Sequence, residues 1–217
     1  MKTFQLEGSP REIVGKKATK ALRKQGLIPA ILYGQAPVEL PYKGVLKKGE
    51  KIVGIGGDKG VVVSDFFVTA ENVRSLIYSP QIFLVELDLE GVGKTKAIIK
   101  ALQFHPVSDA LLHIDFLEVF DEKPIVMEVP VILEGHAEGV KAGGKLNLEM
   151  RKLRVKALFD KIPENLTVNV EKLGLGKSIQ IGDLHFEGLE LTNAKNSVVC
   201  SVKLTRAARG LEASREK

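Results

Sequence analysis

Basic side chains are concentrated in one short segment near the N-terminus. From Arg11 to Lys24 there are six basic residues and one acid, Glu12, which gives these fourteen residues a charge of +5. The whole chain of 217 residues also carries a formal net charge of +5, so the remaining charges cancel. A positive excess confined to one place indicates that the chain binds a polyanion there.

The spacing of these cations predicts a helix with one charged side. Residues 15–26 contain good helix formers and no proline, and Gly26 suits a C-terminal cap. Five cations would fall within an arc of about 120° on this helix: Lys16, Lys17, Lys20, Arg23 and Lys24. No acid among them relieves their mutual repulsion. A solvated face is the simpler explanation of a charge run, but the one-sided arrangement favours an external anion.

A second group of polar side chains lies in the segment Leu111–Val119, which has the composition of a strand. Residues two apart on a strand share a face, so His113 and Asp115 point to one side while Ile114 and Phe116 point to the other. A donor and an acceptor on one face suit ribose hydroxyls and base edges in an RNA minor groove. Taken alone, the pair fits the exposed face of an ordinary strand better.

Two fragments resemble the end of a nucleotide-binding P-loop, Gly93-Lys94-Thr95 and Gly176-Lys177-Ser178. The full motif needs a glycine five positions before its last glycine, so that backbone amides can surround the phosphates. Asp88 and Glu171 occupy those positions, and a carboxylate there would repel phosphate. Binding of a nucleoside triphosphate is therefore disfavoured.

Other catalytic and cofactor chemistry also lacks support in the sequence. The four histidines do not pair at helical metal-ligand spacing, and the lone Cys200 can form neither an internal disulfide nor a structural zinc site. No glycine-serine-glycine elbow is present for a nucleophile. We therefore expect neither an enzyme, nor a metal site, nor a cofactor. Without a long apolar run, neither membrane insertion nor secretion is expected, and a reducing cytoplasm fits best.

Short strands with glycine turns dominate the rest of the chain, and they predict a mainly β fold that includes a small barrel. The predicted strands are residues 28–34, 82–89, 95–102, 111–119, 125–133, 153–159, 166–170 and 198–204, and one short helix is predicted at 72–78. Residues 135–144 are predicted as a glycine-rich connection. The segment Lys43–Phe67 is not assigned to any element.

Both helix and strand patterns lapse at Phe120–Pro124, so we predict a domain boundary there. The expected organisation is an N-terminal domain of residues 1–120 and a β-rich C-terminal domain of residues 121–206. Residues 207–217 have no apolar period and are expected to form a disordered tail.

Two blocks of residues, read together, resemble a known family. The first contains Arg11, Gly15, Lys16, Lys20, Arg23, Gly26, Pro29, Ala30, Tyr33 and Gly34, and the second contains Gln103, His105, Pro106 and His113-Ile114-Asp115-Phe116. They look like the bacterial 5S-rRNA-binding protein number twenty-five of the large ribosomal subunit, in its long form, the general stress protein CTC. Similarity continues through Pro130, Gly135, Gly139, Gly143-Gly144 and Ile162-Pro163-Glu164 into a second domain of that long form.

The resemblance implies a six-stranded N-terminal barrel with short helices that grips the minor groove of a 5S rRNA stem. Phosphate contacts would come from Arg11, Lys16, Lys20 and Arg23, and contacts to ribose and base edges from Tyr33, Lys100, His113 and Asp115. The implied partners are 5S rRNA and neighbouring large-subunit proteins, with the chain as a monomer within the cytoplasmic ribosome. Lys20 departs from the frequent arginine, and Lys43–Phe67 is longer than the family usually carries.

Two other functions remain as alternatives. One is an enzyme dependent on a nucleoside triphosphate and associated with translation, which the acids at Asp88 and Glu171 disfavour. The other is a barrel module that binds a tRNA anticodon, which is disfavoured because no synthetase catalytic domain accompanies it.

Overall fold

A computed structural model describes residues 2–11, 15–34, 37–39, 41, 46–56, 58–79, 81–90 and 93–205. The chain divides into two compact units, Met1–Lys123 and Pro124–Lys217. No helix in the described part of the chain is long and apolar enough to cross a membrane. The predicted tail, residues 207–217, lies outside the described residues.

Strands dominate the first unit, and two short helices interrupt them. Its elements are β1 (Lys2–Pro10), α1 (Lys16–Lys24), β2 (Leu27–Tyr33), β3 (Val38–Glu39), β4 (Glu50–Gly56), β5 (Lys59–Thr69), α2 (Ala70–Ile77), β6 (Phe83–Leu89), β7 (Gly93–Phe104) and β8 (Leu111–Glu118). The predicted helices at α1 and α2 and the predicted strands at β2, β6, β7 and β8 are confirmed.

Six of these strands close into a barrel in the order β1–β6–β7–β8–β2–β5, with β5 pairing back to β1. The pairs β1–β6 and β2–β8 are parallel, and the other pairs of the ring are antiparallel. Near the closing pair, a Cβ atom on Gly8 would lie only 2.7 Å from the Phe66 ring and 2.8 Å from Leu89. A side chain at Gly8 would therefore push apart the strands that close the barrel.

The barrel interior is filled by alternate residues of each strand. Buried side chains from β2, β5 and β8 meet there, and the Phe66 and Phe116 rings lie 5.8 Å apart between centroids. Close packing of this kind fixes which face of every strand points outward, because side chains alternate across a strand. The predicted mainly β fold with a six-stranded barrel is confirmed.

The unassigned segment Lys43–Phe67 contributes β4 and most of β5, while residues 42–45 and 57 lie outside the described residues. Strand β5 is longer than the barrel requires. Its second half pairs with β2 and β1, and its first half pairs with β4 and β3. Strand β4 and the first half of β5 therefore form a ribbon that continues from the barrel wall.

The second unit contains two sheets, with strand orders β12–β9–β11–β14 and β10–β15–β13. Its elements are β9 (Ile125–Glu134), α3 (Glu138–Lys141), β10 (Lys145–Leu148), β11 (Lys152–Ala157), β12 (Leu166–Asn169), β13 (Ser178–Gln180), β14 (Glu190–Leu191) and β15 (Val198–Lys203), with 3₁₀ turns at Phe159–Lys161 and Ile181–Asp183. The strands predicted at β9, β11, β12 and β15 are confirmed.

The predicted connection at residues 135–144 is wrong in part, because it contains the short helix α3. Glycine serves close packing here as well as turning. A Cβ atom on Gly139 would lie 2.7 Å from the backbone of Gly174 and Leu175. The lack of room for a side chain, which composition does not reveal, explains the glycine at position 139.

Candidate RNA interface

The four residues expected to contact ribose and bases come from three adjacent strands. Tyr33 ends β2, Lys100 lies on β7, and His113 and Asp115 lie on β8. Ile114 and Phe116, which alternate with the last two, are fully buried in the barrel. His113 and Asp115 must therefore point outward, and their side chains are 17% and 26% exposed. We call Tyr33, Lys100, His113 and Asp115 the outer face.

A short hydrogen bond joins the two polar residues of β8. Nδ1 of His113 lies 2.6 Å from Oδ1 of Asp115. An ionised carboxylate can only accept, so the Nδ1–H of His113 donates to Asp115. This fixes the ring orientation and leaves Nε2 as the group with which His113 can bind a ligand. Asp115 acts here as an orienting partner, which is one of the roles its position allows.

Tyr33 lies beside this pair and is half-buried at the end of β2. Burial raises the pKa of its phenol above the ordinary value, and the negative charge of Asp115 raises it further. Both effects disfavour the phenolate. Tyr33 therefore keeps its O–H at neutral pH and offers a hydrogen-bond donor on the outer face.

Lys100 stands at an irregularity in the sheet. Ile99 is opposite Phe116 and Ala101 is opposite Asp115, so Lys100 is the extra residue between two consecutive pairs. A bulge of this kind redirects one side chain from the regular alternation. The exposed Lys100 consequently has no residue directly opposite it on β8, and it precedes the residue that pairs with Asp115.

Helix α1 carries the basic cluster on the surface of the barrel. None of its nine described residues is buried, and Lys16, Lys17, Lys20 and Lys24 are exposed. Its last turn contains Arg23 and Lys24, a favourable place for cations at the negative end of the helix dipole. The helix contributes little to the core, so its lysines are available for an anion in solution.

Two arginines connect this helix to the barrel. Arg11 donates from Nη2 to Oγ1 of Thr19 at 2.8 Å, near the start of the helix. Arg23 donates from Nε and Nη2 to the Leu112 carbonyl on β8, at 3.1 and 2.8 Å. The family resemblance implies phosphate contacts for both arginines and does not predict these bonds, because Leu112 is far from Arg23 in sequence and Thr19 is a neutral residue. A guanidinium has five N–H donors, so such bonds do not prevent phosphate contact.

The P-loop-like fragments do not form phosphate sites in the described structure. Gly93-Lys94-Thr95 forms the start of β7, and Lys94 lies opposite Asp88, with 3.9 Å between Nζ and Oδ2. Ser178 begins the short strand β13. Neither fragment leads directly into an α-helix whose N-terminus could bind phosphate. Among the described residues, no group of three His, Cys, Asp or Glu side chains is placed to bind a metal ion.

His105, the first histidine of the second sequence block, has a structural role. Nδ1 of His105 accepts from the backbone N–H groups of Val107 and Ser108, at 3.3 and 3.2 Å. The loop is closed by two further backbone bonds, from His105 to Ala110 and from Asp109 to His105. His105 therefore shapes the β7–β8 turn that precedes the outer face.

We predict that Asp115→Asn lowers the pKa of the Tyr33 phenol. The charge of Asp115 raises that pKa, so its removal must lower it, but the midpoint should stay above the ordinary value of about 10 because burial is the larger cause. The measurement is the alkaline rise of phenolate absorbance in the Tyr42→Phe/Tyr78→Phe background, which leaves Tyr33 as the last of three tyrosines. Asp88→Asn is the control, and an equal shift in both variants would contradict the placement of Asp115 beside Tyr33.

Models of two protein families match the chain. The Ribosomal L25p family matches residues 6–65 and 45–116, and the family described as Ribosomal protein TL5, C-terminal domain, matches residues 124–206. The two L25p stretches overlap at 45–65, within the segment Lys43–Phe67. The first family thus covers the barrel and the second covers the sheets of the second unit.

Several curated proteins are similar over nearly the whole length, and each bears the name Large ribosomal subunit protein bL25. The protein of Porphyromonas gingivalis is 61% identical over 210 residues, which is 97% of this chain and 97% of the relative. That of Parabacteroides distasonis is 58% identical over 218 residues, covering 98% and 99%. That of Bacteroides thetaiotaomicron is 50% identical over 219 residues, covering 99% and 98%. The chain belongs to the Ribosomal L25p family, and it is a ribosomal protein rather than an enzyme.

Proposed function

We propose that this chain is a structural component of the large ribosomal subunit in the cytoplasm and binds 5S ribosomal RNA through its first unit. One observation carries the proposal. A barrel face bearing an oriented histidine lies beside a helix whose lysines are all exposed. That combination supplies both parts of RNA recognition, contacts to phosphate and contacts to ribose or base edges.

Helix α1 and Arg11 supply the phosphate contacts in this proposal. Lys16 and Lys20 carry compact charges at the exposed surface, and Arg11 and Arg23 add guanidinium groups at either end of the helix. Neutralising phosphates releases bound counterions, so this part of the affinity falls as salt rises. It holds the protein on the RNA without selecting a sequence.

The outer face supplies selectivity. Asp115 cannot be present to attract RNA, because phosphate repels a carboxylate. Its role is to hold His113, whose Nε2 can then accept from a ribose hydroxyl or a base amine. Tyr33 offers an O–H donor, and Lys100 offers a cation at the β7 bulge. Such groups fit the wide, shallow minor groove of an RNA helix.

The second unit has a different role in this proposal. From Asp121 onward there are 16 basic and 14 acidic residues, so this half has no strong attraction for a polyanion. We assign it to contacts with neighbouring proteins of the large subunit, with one copy of the chain in each ribosome. The RNA-binding domain then corresponds to the expected residues 1–120.

We predict that residues 1–123 bind 5S rRNA and residues 124–217 do not, because the basic helix and the outer face both lie in the first unit. Gel-shift titrations of the two fragments and of the full chain test this. The affinity of the first fragment should approach that of the full chain. Binding by residues 124–217 alone would overturn the assignment.

We predict that Lys16→Gln/Lys20→Gln weakens binding to any duplex RNA and flattens its salt dependence. Each lost phosphate contact should reduce the slope of log affinity against log salt by roughly 1, so the double variant should lose about 2. Lys141→Gln/Lys152→Gln removes two exposed cations from the second unit and serves as the matched control. If both double variants change the slope equally, helix α1 does not contact RNA.

We predict that Asp115→Asn weakens binding to 5S rRNA by about 1–3 kcal/mol, as loss of one specific contact does. The neutral amide accepts a weaker hydrogen bond from His113 than the carboxylate does, so Nε2 is held less firmly. Binding to an unrelated RNA duplex should be unchanged or slightly stronger, since a negative charge is removed. Affinities for the two RNAs are compared in wild type and variant. An equal response of both RNAs would show that Asp115 is an ordinary surface residue.

A further inference from the structure

A buried carboxylate lies close to the proposed RNA interface, and the proposed contacts do not use it. Asp65 is 5% exposed in the middle of the apolar strand β5. It lies opposite Ile31, and Ile31 lies opposite Asp115 on the next strand. Residues directly opposite one another share a face of the sheet, so Asp65 belongs to the same side of the barrel as Asp115.

The partner of this carboxylate comes from β4. Nζ of Lys51 lies 2.5 Å from Oδ2 of Asp65, and the lysine side chain is 47% exposed while that of Asp65 is 6% exposed. A buried charge without a partner is strongly unfavourable, whereas removing both charges together is often tolerated. Lys51 therefore neutralises a charge that would otherwise be buried without a partner at the barrel wall.

The backbone of Asp65 ties together three parts of the chain. Its N–H donates to the Gly49 carbonyl at 2.9 Å, and its own carbonyl accepts from the N–H of Arg11 at 2.9 Å. Gly49 has a φ of +83°, and a Cβ atom there would lie 2.9 Å from the Asp65 carbonyl oxygen. Only glycine fits this close crossing without strain. We call Gly49, Lys51 and Asp65 the β4 anchor.

The β4 anchor continues to the basic helix through Arg11. The backbone N–H of Arg11 is held by the Asp65 carbonyl, and the Arg11 guanidinium donates to Thr19 on α1 at 2.8 Å. Because α1 buries no described side chain, such polar links set much of its position. A disturbance at Lys51 should therefore reach the helix without any contact between Lys51 and RNA.

We propose that Lys51 is a positioning residue of the RNA interface, which holds Arg11 and helix α1 in place by neutralising Asp65. This inference rests on the proposed RNA binding and extends it to the segment Lys43–Phe67. The ribbon formed by β4 and the first half of β5 thereby supports the interface. It does so through Asp65 and Arg11, without contacting RNA itself.

The test is a cycle of Lys51→Met, Asp65→Asn and the double variant in the full chain. Lys51→Met alone should weaken 5S rRNA binding on the order of tenfold, because it leaves the carboxylate unpaired. The double variant should recover most of that loss, since both charges are then gone. The control is Lys59→Met, at the exposed start of β5, which removes the same charge from the same ribbon. It should change the affinity for 5S rRNA by less than about threefold.

Hydrogen exchange at the backbone amides of Arg11 and Asp65 gives a readout that does not require RNA. Exchange should accelerate in Lys51→Met and return toward wild type in the double variant. No rescue of affinity by Asp65→Asn would mean that Lys51 itself contacts RNA, which overturns the proposal. Equal losses in Lys51→Met and Lys59→Met would also overturn it. If wild type fails to bind 5S rRNA, the function is wrong, while the exchange rates still decide the positioning role.

Discussion

Burial of Ile114 and Phe116 inside a closed barrel determines where the polar residues of β8 can go. Both side chains are fully buried, and alternation along the strand then forces His113 and Asp115 outward. The hydrogen bond between them then fixes the orientation of the outward-facing His113 ring. The neighbouring strands bring Tyr33 to this side through register, and Lys100 is presented at the bulge of β7. Selective chemistry on this surface is thus a consequence of core packing on the other surface of the same strand.

Lysine and arginine divide the work of the basic segment. The lysines of α1 are exposed, while Arg11 and Arg23 also bind oxygen atoms of the protein. The planar guanidinium can serve two acceptors at once, whereas an ammonium is a strongly hydrated point charge. Arginine therefore suits positions near the ends of the helix, where, in the proposed interface, one side chain contacts both the barrel and a phosphate. Charge counting along the sequence treats the two residue types as equal and misses this difference.

Local patterns were sufficient to predict most elements of the first unit and half of those in the second, because helix α1 and the strands β2, β8 and β15 show their own composition and periodicity. The six-stranded barrel came from the family resemblance, since closure depends on pairs such as Ser9–Phe67 that are distant in sequence. Strand β1 was missed because Gly8 and Pro10 interrupt its pattern. The ribbon was missed because residues 43–67, rich in lysine, glycine and valine, show no clear period. Its strands are defined by the pairing of β5 with four other strands, which a local pattern does not reveal. The bond from Arg11 to Thr19 and the burial of Asp65 depend on three-dimensional packing, which no spacing reveals.

The absence of any buried residue among those described in α1 has an evolutionary consequence. A substitution at one of the exposed lysines of α1 removes no packing from the barrel, so it should change the free energy of unfolding little. If the proposed RNA interface is correct, selection on these positions acts through RNA affinity rather than through the abundance of folded protein. Strand β8 is in the opposite situation, because a substitution at the buried Ile114 or Phe116 would lower the stability of the folded barrel. The helix can therefore be retuned to an altered ligand while the barrel that carries it remains intact.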